Sequence, residues 1–117
     1  MSSAVSIRLR RAQKQLVVKF EDGSEFTFAA ELLRVESPSA EVKGHSQSDK
    51  RIVSGRRYVG IIDVEPVGNY AIKLKFDDLH NTGIYSWDYL HELGKTKWKR
   101  SRAYLVELKS RGLSRNP

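Results

Sequence analysis

The residues of this chain best suited to chemistry are two histidines with acidic residues close by in sequence. His45 lies four residues after Glu41, and His80 lies three residues after Asp77. Two imidazoles with one carboxylate can hold a divalent metal while leaving coordination positions open. One candidate function is therefore metal binding by His45 and His80, with Glu41 or Asp77 as the third ligand.

A serine nucleophile is the second chemistry to consider. Ser37 and Ser39 flank Pro38 upstream of His45, but Ser-His-acid catalysis needs a strained turn that exposes the hydroxyl beside a positioned base. The chain has no Gly-x-Ser-x-Gly segment, and a serine next to proline commonly bonds its own backbone in a turn. It has no cysteine either, which excludes thiolate ligands, disulfides and a cysteine nucleophile. We therefore expect no catalytic residue and no enzyme activity.

The net charge of +7 is concentrated near the C-terminal end. Residues 1–94 hold 13 Lys and Arg against 13 Asp and Glu, whereas residues 95–117 hold eight basic residues and one acidic residue, Glu107. This distribution predicts one domain with a neutral body (1–94) and a basic helical extension (95–117) that can bind polyanions. The candidate polyanion-binding residues are Lys95, Lys97, Lys99, Arg100, Arg102, Lys109 and Arg111.

Apolar residues at alternate positions predict two β-hairpins. The first spans residues 7–20, and Gly23 supplies the positive φ of the next turn before a short strand at 26–28. The second hairpin joins the run at 58–64 to the strand at 70–76. The chain has no apolar run of about 20 residues and no apolar signal core at its start, so we expect a cytoplasmic protein without a membrane span.

Short helices are predicted at residues 29–35, 87–93 and 98–111. Ser86 is the predicted N-cap of the second helix, Gly94 its C-terminal stop, and Gly112 closes the third. The expected fold class is α+β: a single small domain in which hairpins form an antiparallel sheet, with two or three short helices and a basic C-terminal helix.

Two segments of the chain resemble the gamma-butyrobetaine hydroxylase-like N-terminal domain family. They are Leu33–Val42 (LRVESPSAEV) and Phe76–Trp87 (FDDLHNTGIYSW), and the resemblance covers residues 7–94. In that family the first segment usually carries C-x-C-x-x-C and the second D-G-H-x-x-G-I-Y, so the resemblance implies a zinc site of three thiolates and one imidazole.

This chain departs from the family at the implied zinc site. The degenerate positions are Ser37, Ser39 and Val42, which stand where the family has cysteine, and His80, which is retained. Neutral hydroxyls are poor zinc ligands and valine offers none. Because of these substitutions we expect no bound metal and no cofactor, with His80 hydrogen-bonded to the neighbouring segment instead.

The larger proteins that carry this domain point to an accessory role. The full-length hydroxylases add an iron- and 2-oxoglutarate-dependent barrel with a His-x-Asp/Glu pair. The residues two after His45, His80 and His91 are Gln47, Thr82 and Leu93, so that pair is absent. A related domain accompanies P-loop iron–sulfur carrier proteins, but this chain has no G-x-x-x-x-G-K-[ST] segment. In both settings a small domain serves a larger protein, which implies an accessory role by analogy.

We therefore interpret the chain as a non-catalytic accessory or binding module that acts on a protein partner or a small ligand, linked by analogy to iron–sulfur or oxygenase systems. The candidate binding surface comprises Arg34, Ser37, Ser39, Glu41, His45, Asp77, His80, Tyr85 and Trp87. The alternatives are a nucleic-acid-binding protein that uses the basic C-terminal helix and a metal-binding protein that uses His45 and His80.

Overall fold

Two three-stranded antiparallel sheets and two helices make up the described part of the fold. The structure, a computed structural model, describes residues 2–38, 53–81 and 83–117. The first sheet contains β1 (Ala4–Arg10), β2 (Gln15–Phe20) and β3 (Glu25–Ala29); the second contains β4 (Ile61–Val67), β5 (Ala71–Phe76) and β6 (Ile84–Ser86). The described helices are α1 (Ala30–Val35) and α2 (Trp87–Ser110). The predicted α+β class is confirmed, with two small sheets in place of one.

The first hairpin forms where the alternation predicts it. β1 pairs with β2 in a register that places Ile7 opposite Val18. Leu16, Val18 and Phe20 of β2 are buried, because successive side chains of a strand point to opposite faces and these three share one face. Gly23 has a φ of 89° and turns the chain into β3. The alternation of apolar residues and the position of Gly23 are therefore enough to predict this region.

The second hairpin is also present, but its first strand is β4 (Ile61–Val67) in place of the predicted 58–64. Pro66 belongs to β4, opposite Ile72, and the turn is made by Gly68, whose φ is 54°, and its neighbour Asn69. Within the described sheet β4 is an edge strand, the position at which a sheet tolerates proline. β6 then pairs with the other side of β5, so that β5 is central.

One core cluster joins the two sheets and both helices. The sheets contribute Leu16, Val18, Phe20, Phe28, Ile72, Leu74, Phe76 and Tyr85, and the helices contribute Leu33, Leu90 and Leu93. Burial of each large apolar side chain stabilises the fold by about 1.5–3 kcal/mol. Because all elements share this core, the segment after α1 and the turn after β5 are held in fixed positions.

The predicted helix boundary at Gly94 is wrong. α2 is one continuous helix from Trp87 to Ser110, with the Ser86 hydroxyl accepting the Tyr89 N–H at its start. Gly94 lies inside it against the ring of Phe26, where an added Cβ would come within 2.4 Å of ring atoms. The glycine therefore permits close packing between the helix and β3, and it does not end the helix.

The end of α2 is docked on the body of the domain. Gly112 has a φ of 67° and ends the helix as predicted. Beyond it, the Gly55 and Arg57 N–H groups donate to the carbonyls of Ser114 (2.9 Å) and Arg115 (3.0 Å). The helix thus runs across the predicted boundary between residues 94 and 95, and the chain after it contacts the segment that leads into β4.

Candidate functional site

The segment after α1 meets the turn after β5, which brings together Ser37 and His80. The Ser37 hydroxyl lies 2.9 Å from His80 Nε2, with the serine fully buried and the histidine 5% exposed. Gly83 makes this approach possible, because a Cβ there would lie 2.3 Å from Ser37 Oγ. His80 therefore forms a hydrogen bond across the two segments, as the sequence analysis expects.

An ion cluster lies beside this pair. Asp78 Oδ2 is 2.8 Å from Arg34 Nε and 2.7 Å from Arg56 Nε, and Asp78 Oδ1 accepts the His80 N–H at 3.2 Å. Burial opposes ionisation of Asp78, but the bonds from Arg34 and His80 and the charges of both arginines outweigh it and lower the pKa of this carboxyl. The turn is therefore held by a carboxylate that stays ionised at neutral pH.

Two buried nitrogens of the cluster have no hydrogen-bond acceptor among the residues that the structure describes. They are Arg34 Nη1 and Arg56 Nε; the latter is close to Asp78, but its N–H does not point at the carboxylate oxygen. Two guanidinium groups share a single carboxylate here, so the cluster has a formal charge of +1. We call Arg34, Ser37, Arg56, Asp78 and His80 the polar junction.

Two tyrosines close the C-terminal end of α1. The hydroxyl of Tyr85 donates to the Leu33 carbonyl, and that of Tyr89 donates to the Glu36 carbonyl at 2.5 Å. Burial raises the pKa of Tyr85, although a hydrogen bond with Ser37 acts in the opposite direction. Burial and the charge of Glu36 raise the pKa of Tyr89 to about 12. Both phenols are thus neutral donors to carbonyls that a short helix leaves unpaired.

The structure divides the predicted binding surface. Arg34, Ser37, His80 and Tyr85 meet but are buried. Trp87 lies elsewhere: its indole N–H donates to the Asn69 carbonyl at 2.8 Å, beside the β4–β5 turn. Asp77 follows the opposite end of β5 and is exposed. Ser39, Glu41, Val42 and His45 lie outside the described residues.

The large apolar side chain exposed beside the polar junction is Leu79, which the predicted binding surface does not include. Its side chain is 82% exposed, and its backbone has a φ of 73°. Tyr58, which is 60% exposed, lies two residues before Gly60, whose carbonyl accepts the Asp77 N–H at 2.9 Å. In the sequence, Leu79 is the single apolar residue of the polar segment Asp77–Asn81, and this is the one feature that could have indicated it.

The geometry limits the chemistry of these residues. A serine nucleophile must be reached by its substrate, and the Ser37 hydroxyl is fully buried. Among the described residues, no three His, Cys, Asp or Glu side chains come together as metal ligands. The same part of the chain holds no helix with both the length and the apolar character to cross a bilayer.

The predicted polyanion-binding residues fall into two groups. Arg100 pairs with Glu36 at 3.1 Å, Arg111 with Glu107 at 2.7 Å, and Lys95 with Glu92 at 3.8 Å. Lys97 donates to the Thr27 carbonyl at 3.0 Å. Lys99, Arg102 and Lys109 are exposed and make no ion pair with any described residue.

Comparison with known proteins gives one family and several solved structures. The family model described as gamma-butyrobetaine hydroxylase-like, N-terminal, matches residues 7–91. Two NMR solution structures are similar over the whole chain. The first is 44% identical in sequence, with a TM-score of 0.87 and 92% of its own length covered. The second is 42% identical, with a TM-score of 0.85 and 87% of its own length covered. Among curated proteins, none matches the sequence significantly.

A crystal structure from Acidithiobacillus ferrooxidans ATCC 23270 is also similar. That protein is described as having unknown function and belonging to the DUF971 family; it is 37% identical, with a TM-score of 0.67 over 79% of this chain and 92% of its own. At identities of 37–44%, the similarity to these three proteins indicates a common family as well as a common fold.

Proposed function

We propose that this chain, which belongs to the gamma-butyrobetaine hydroxylase-like N-terminal family, is a non-catalytic binding module that contacts a protein partner through the turn Asp77–Asn81. The observation that carries the proposal is Leu79, a leucine with a positive φ whose side chain is 82% exposed. The accessory role implied by the family resemblance agrees with this reading.

The backbone at Leu79 is held in a conformation that leucine disfavours. A left-handed conformation costs a non-glycine residue about 1–2 kcal/mol. Backbone bonds maintain it, since the Leu79 N–H donates to the Phe76 carbonyl at 3.2 Å and the Phe76 N–H donates to the His80 carbonyl at 2.9 Å. The polar junction then fixes the flanking Asp78 and His80.

Folding stability does not account for this leucine. A side chain that is 82% exposed contributes little apolar burial, and asparagine or glycine would adopt the same φ with less strain. An apolar side chain presented by a rigid turn is what a protein interface uses as an anchor, because little conformational freedom is lost on binding.

The segment paired with this turn through Gly60 and Asp77 adds the side-chain types of a protein contact. Tyr58 offers an exposed aromatic ring, with the Lys14 ammonium 5.9 Å from its centroid. Asp77 supplies an exposed carboxylate next to Leu79. An aromatic and an aliphatic side chain with charged groups around them form the apolar centre and polar rim that specific interfaces show.

Replacement of Leu79 by glycine separates binding from stability. Leu79→Gly removes the anchor and relieves the backbone, so the free energy of unfolding should stay unchanged or rise by up to about 1 kcal/mol. Tyr70→Ser is the matched control: Tyr70 is 58% exposed and lies at the opposite end of β5, about 20 Å away along the strand.

The binding measurement uses a photoreactive amino acid placed at position 79 or at position 70 in the native cell. A defined protein should crosslink at 79 and not at 70, and the purified partner should bind the wild type and the Tyr70→Ser variant but not Leu79→Gly. Equal crosslinking at both positions, or full binding by Leu79→Gly, would overturn the proposal.

A further inference from the structure

The C-terminal half of α2 presents a second surface, unrelated to the turn at Leu79. Trp98, Lys99, Arg102, Val106 and Lys109 are all exposed, and at 3.6 residues per turn they fall within an arc of about 100° around the helix. The buried residues Leu90, Leu93 and Leu108 lie on the other side, against the domain. We call these five exposed residues the outer face of α2.

The charged side chains of the outer face are all positive. Lys99, Arg102 and Lys109 form no ion pair with any residue that the structure describes. The one acidic residue between Trp98 and Ser110 is Glu107, which is bound to Arg111 at 2.7 Å. Three cations thus project to solvent along about 15 Å of helix, and no acidic group of residues 2–38, 53–81 or 83–117 forms an ion pair with them.

The outer face also carries an exposed aromatic ring. Trp98 is 75% exposed, and the Lys97 ammonium lies 5.4 Å from its ring centroid. Since Lys97 donates to the Thr27 carbonyl of β3, its position beside the indole is fixed. An indole with a cation beside it and open to solvent suits stacking by a nucleobase.

We propose that the outer face of α2 binds single-stranded nucleic acid, with Lys99, Arg102 and Lys109 contacting phosphates and Trp98 stacking on a base. The arrangement of the side chains favours a strand over an anionic membrane. A helix that lies in a membrane separates its apolar side chains from its cations, whereas here Arg102 and Lys109 lie between Trp98 and Val106 around the arc. The larger apolar side of α2 is already buried in the domain.

The salt dependence of binding measures the phosphate contacts. For single strands the logarithm of the binding constant falls with the logarithm of salt concentration by about 0.7 per neutralised phosphate. Three contacts predict a slope of about −2. The probes are adenylate strands of about 12 nucleotides, one RNA and one DNA, labelled for fluorescence anisotropy.

Two variants with equal net charge locate the surface. Lys99→Gln, Arg102→Gln and Lys109→Gln together should bring the slope near zero and abolish measurable binding at about 200 mM salt. The control combines Arg10→Gln, Lys19→Gln and Lys75→Gln, three exposed cations on the strands, and should keep most of the slope. Trp98→Ala alone should weaken binding about 5- to 150-fold with the slope unchanged.

Several results would overturn the proposal. They are absence of strand binding at low salt, equal loss in the two triple variants, or no effect of Trp98→Ala. Binding to phosphatidylglycerol vesicles or to polyglutamate, with none to either strand, would assign the outer face to a different partner. Binding of RNA alone, DNA alone or both supports the proposal and identifies the strand. None of these results depends on Leu79.

Discussion

The polar junction and the outer face of α2 both contain charged side chains, but these are largely buried in the first region and exposed in the second. At the polar junction Arg34 and Asp78 are largely buried and bound to each other. On the outer face Lys99, Arg102 and Lys109 are exposed and unpaired among the described residues. The same types of charged residue therefore hold the fold together in one region and are available to a partner in the other.

This contrast shows what a charge count omits. By sequence, eight basic residues between 95 and 117 face one acidic residue. In the structure Arg100 and Arg115 bind Glu36 and Glu31, two acids of the predicted neutral body, at 3.1 Å and 2.6 Å. Since the pairing crosses the predicted boundary, the free positive charge is smaller and more local than the composition indicates.

Asp78→Asn should give the largest effect, because it leaves the buried Arg34 and the partly exposed Arg56 without their shared carboxylate. We expect a loss of about 3 kcal/mol in the free energy of unfolding, measured by urea denaturation. Asp77→Asn, the exposed neighbour, should change it by less than about 0.5 kcal/mol. Equal effects of the two substitutions would mean that the polar junction is not a buried charge cluster.

Gly83→Ala tests the close approach within the polar junction. Its Cβ would lie 2.3 Å from Ser37 Oγ and 3.2 Å from the Tyr85 ring, so we expect a loss of about 2 kcal/mol. The double variant Ser37→Ala with Gly83→Ala removes the clashing oxygen, and its loss should be smaller than the sum of the two single losses. Additive losses would contradict the geometry.

Arg100→Gln and Arg102→Gln compare a paired and an unpaired cation two residues apart on α2. Arg100 binds the largely buried Glu36 carboxylate, and its loss should lower the melting temperature by an amount equivalent to about 1 kcal/mol. Arg102→Gln should leave stability within about 0.5 kcal/mol. Reversed effects would show that the two groups of cations are assigned incorrectly.

The smallest expected effect is the acid sensitivity due to Asp22. Hydrogen bonds from the side chain and N–H of Ser24, followed by the bond from His91, lower the pKa of Asp22 from 3.8 to about 2. A carboxyl with a depressed pKa in the folded state stabilises the fold above its unfolded pKa, and that contribution is lost as the pH falls from about 4 to 2. Asp22→Asn should therefore unfold with a shallower pH dependence in this window, measured by circular dichroism.

The sheets could be predicted from the sequence because their signals are local. Alternation in β1, β2 and β5 and the turn at Gly23 depend on neighbours along the chain. The helix boundary at Gly94 could not be predicted, since the reason for that glycine is the ring of Phe26, far away in sequence. The sequence alone does not distinguish a glycine that ends a helix from a glycine that allows a helix to pack closely against a neighbouring strand.

Part of the candidate site, the contact between Ser37 and His80, could be predicted from the sequence, whereas the exposure of its residues could not. The resemblance placed Ser37 near His80, and the structure has them in contact. Which residues of that region are exposed depends on tertiary packing, so the sequence does not show that Tyr85 is buried and Leu79 exposed. The division of the basic residues into paired and free likewise needed the positions of Glu31 and Glu36.

The contact between Gly94 and Phe26 also orders events during synthesis. β3 packs against the middle of α2, where the Lys97 ammonium holds the Thr27 carbonyl at 3.0 Å. A ribosome adds about 5–20 residues per second, so the 68 residues from Phe26 to Gly94 take about 3–14 s. During that interval α2 is not yet present to cover the Phe26 ring of β3, so β3 is complete before the helix that packs on it.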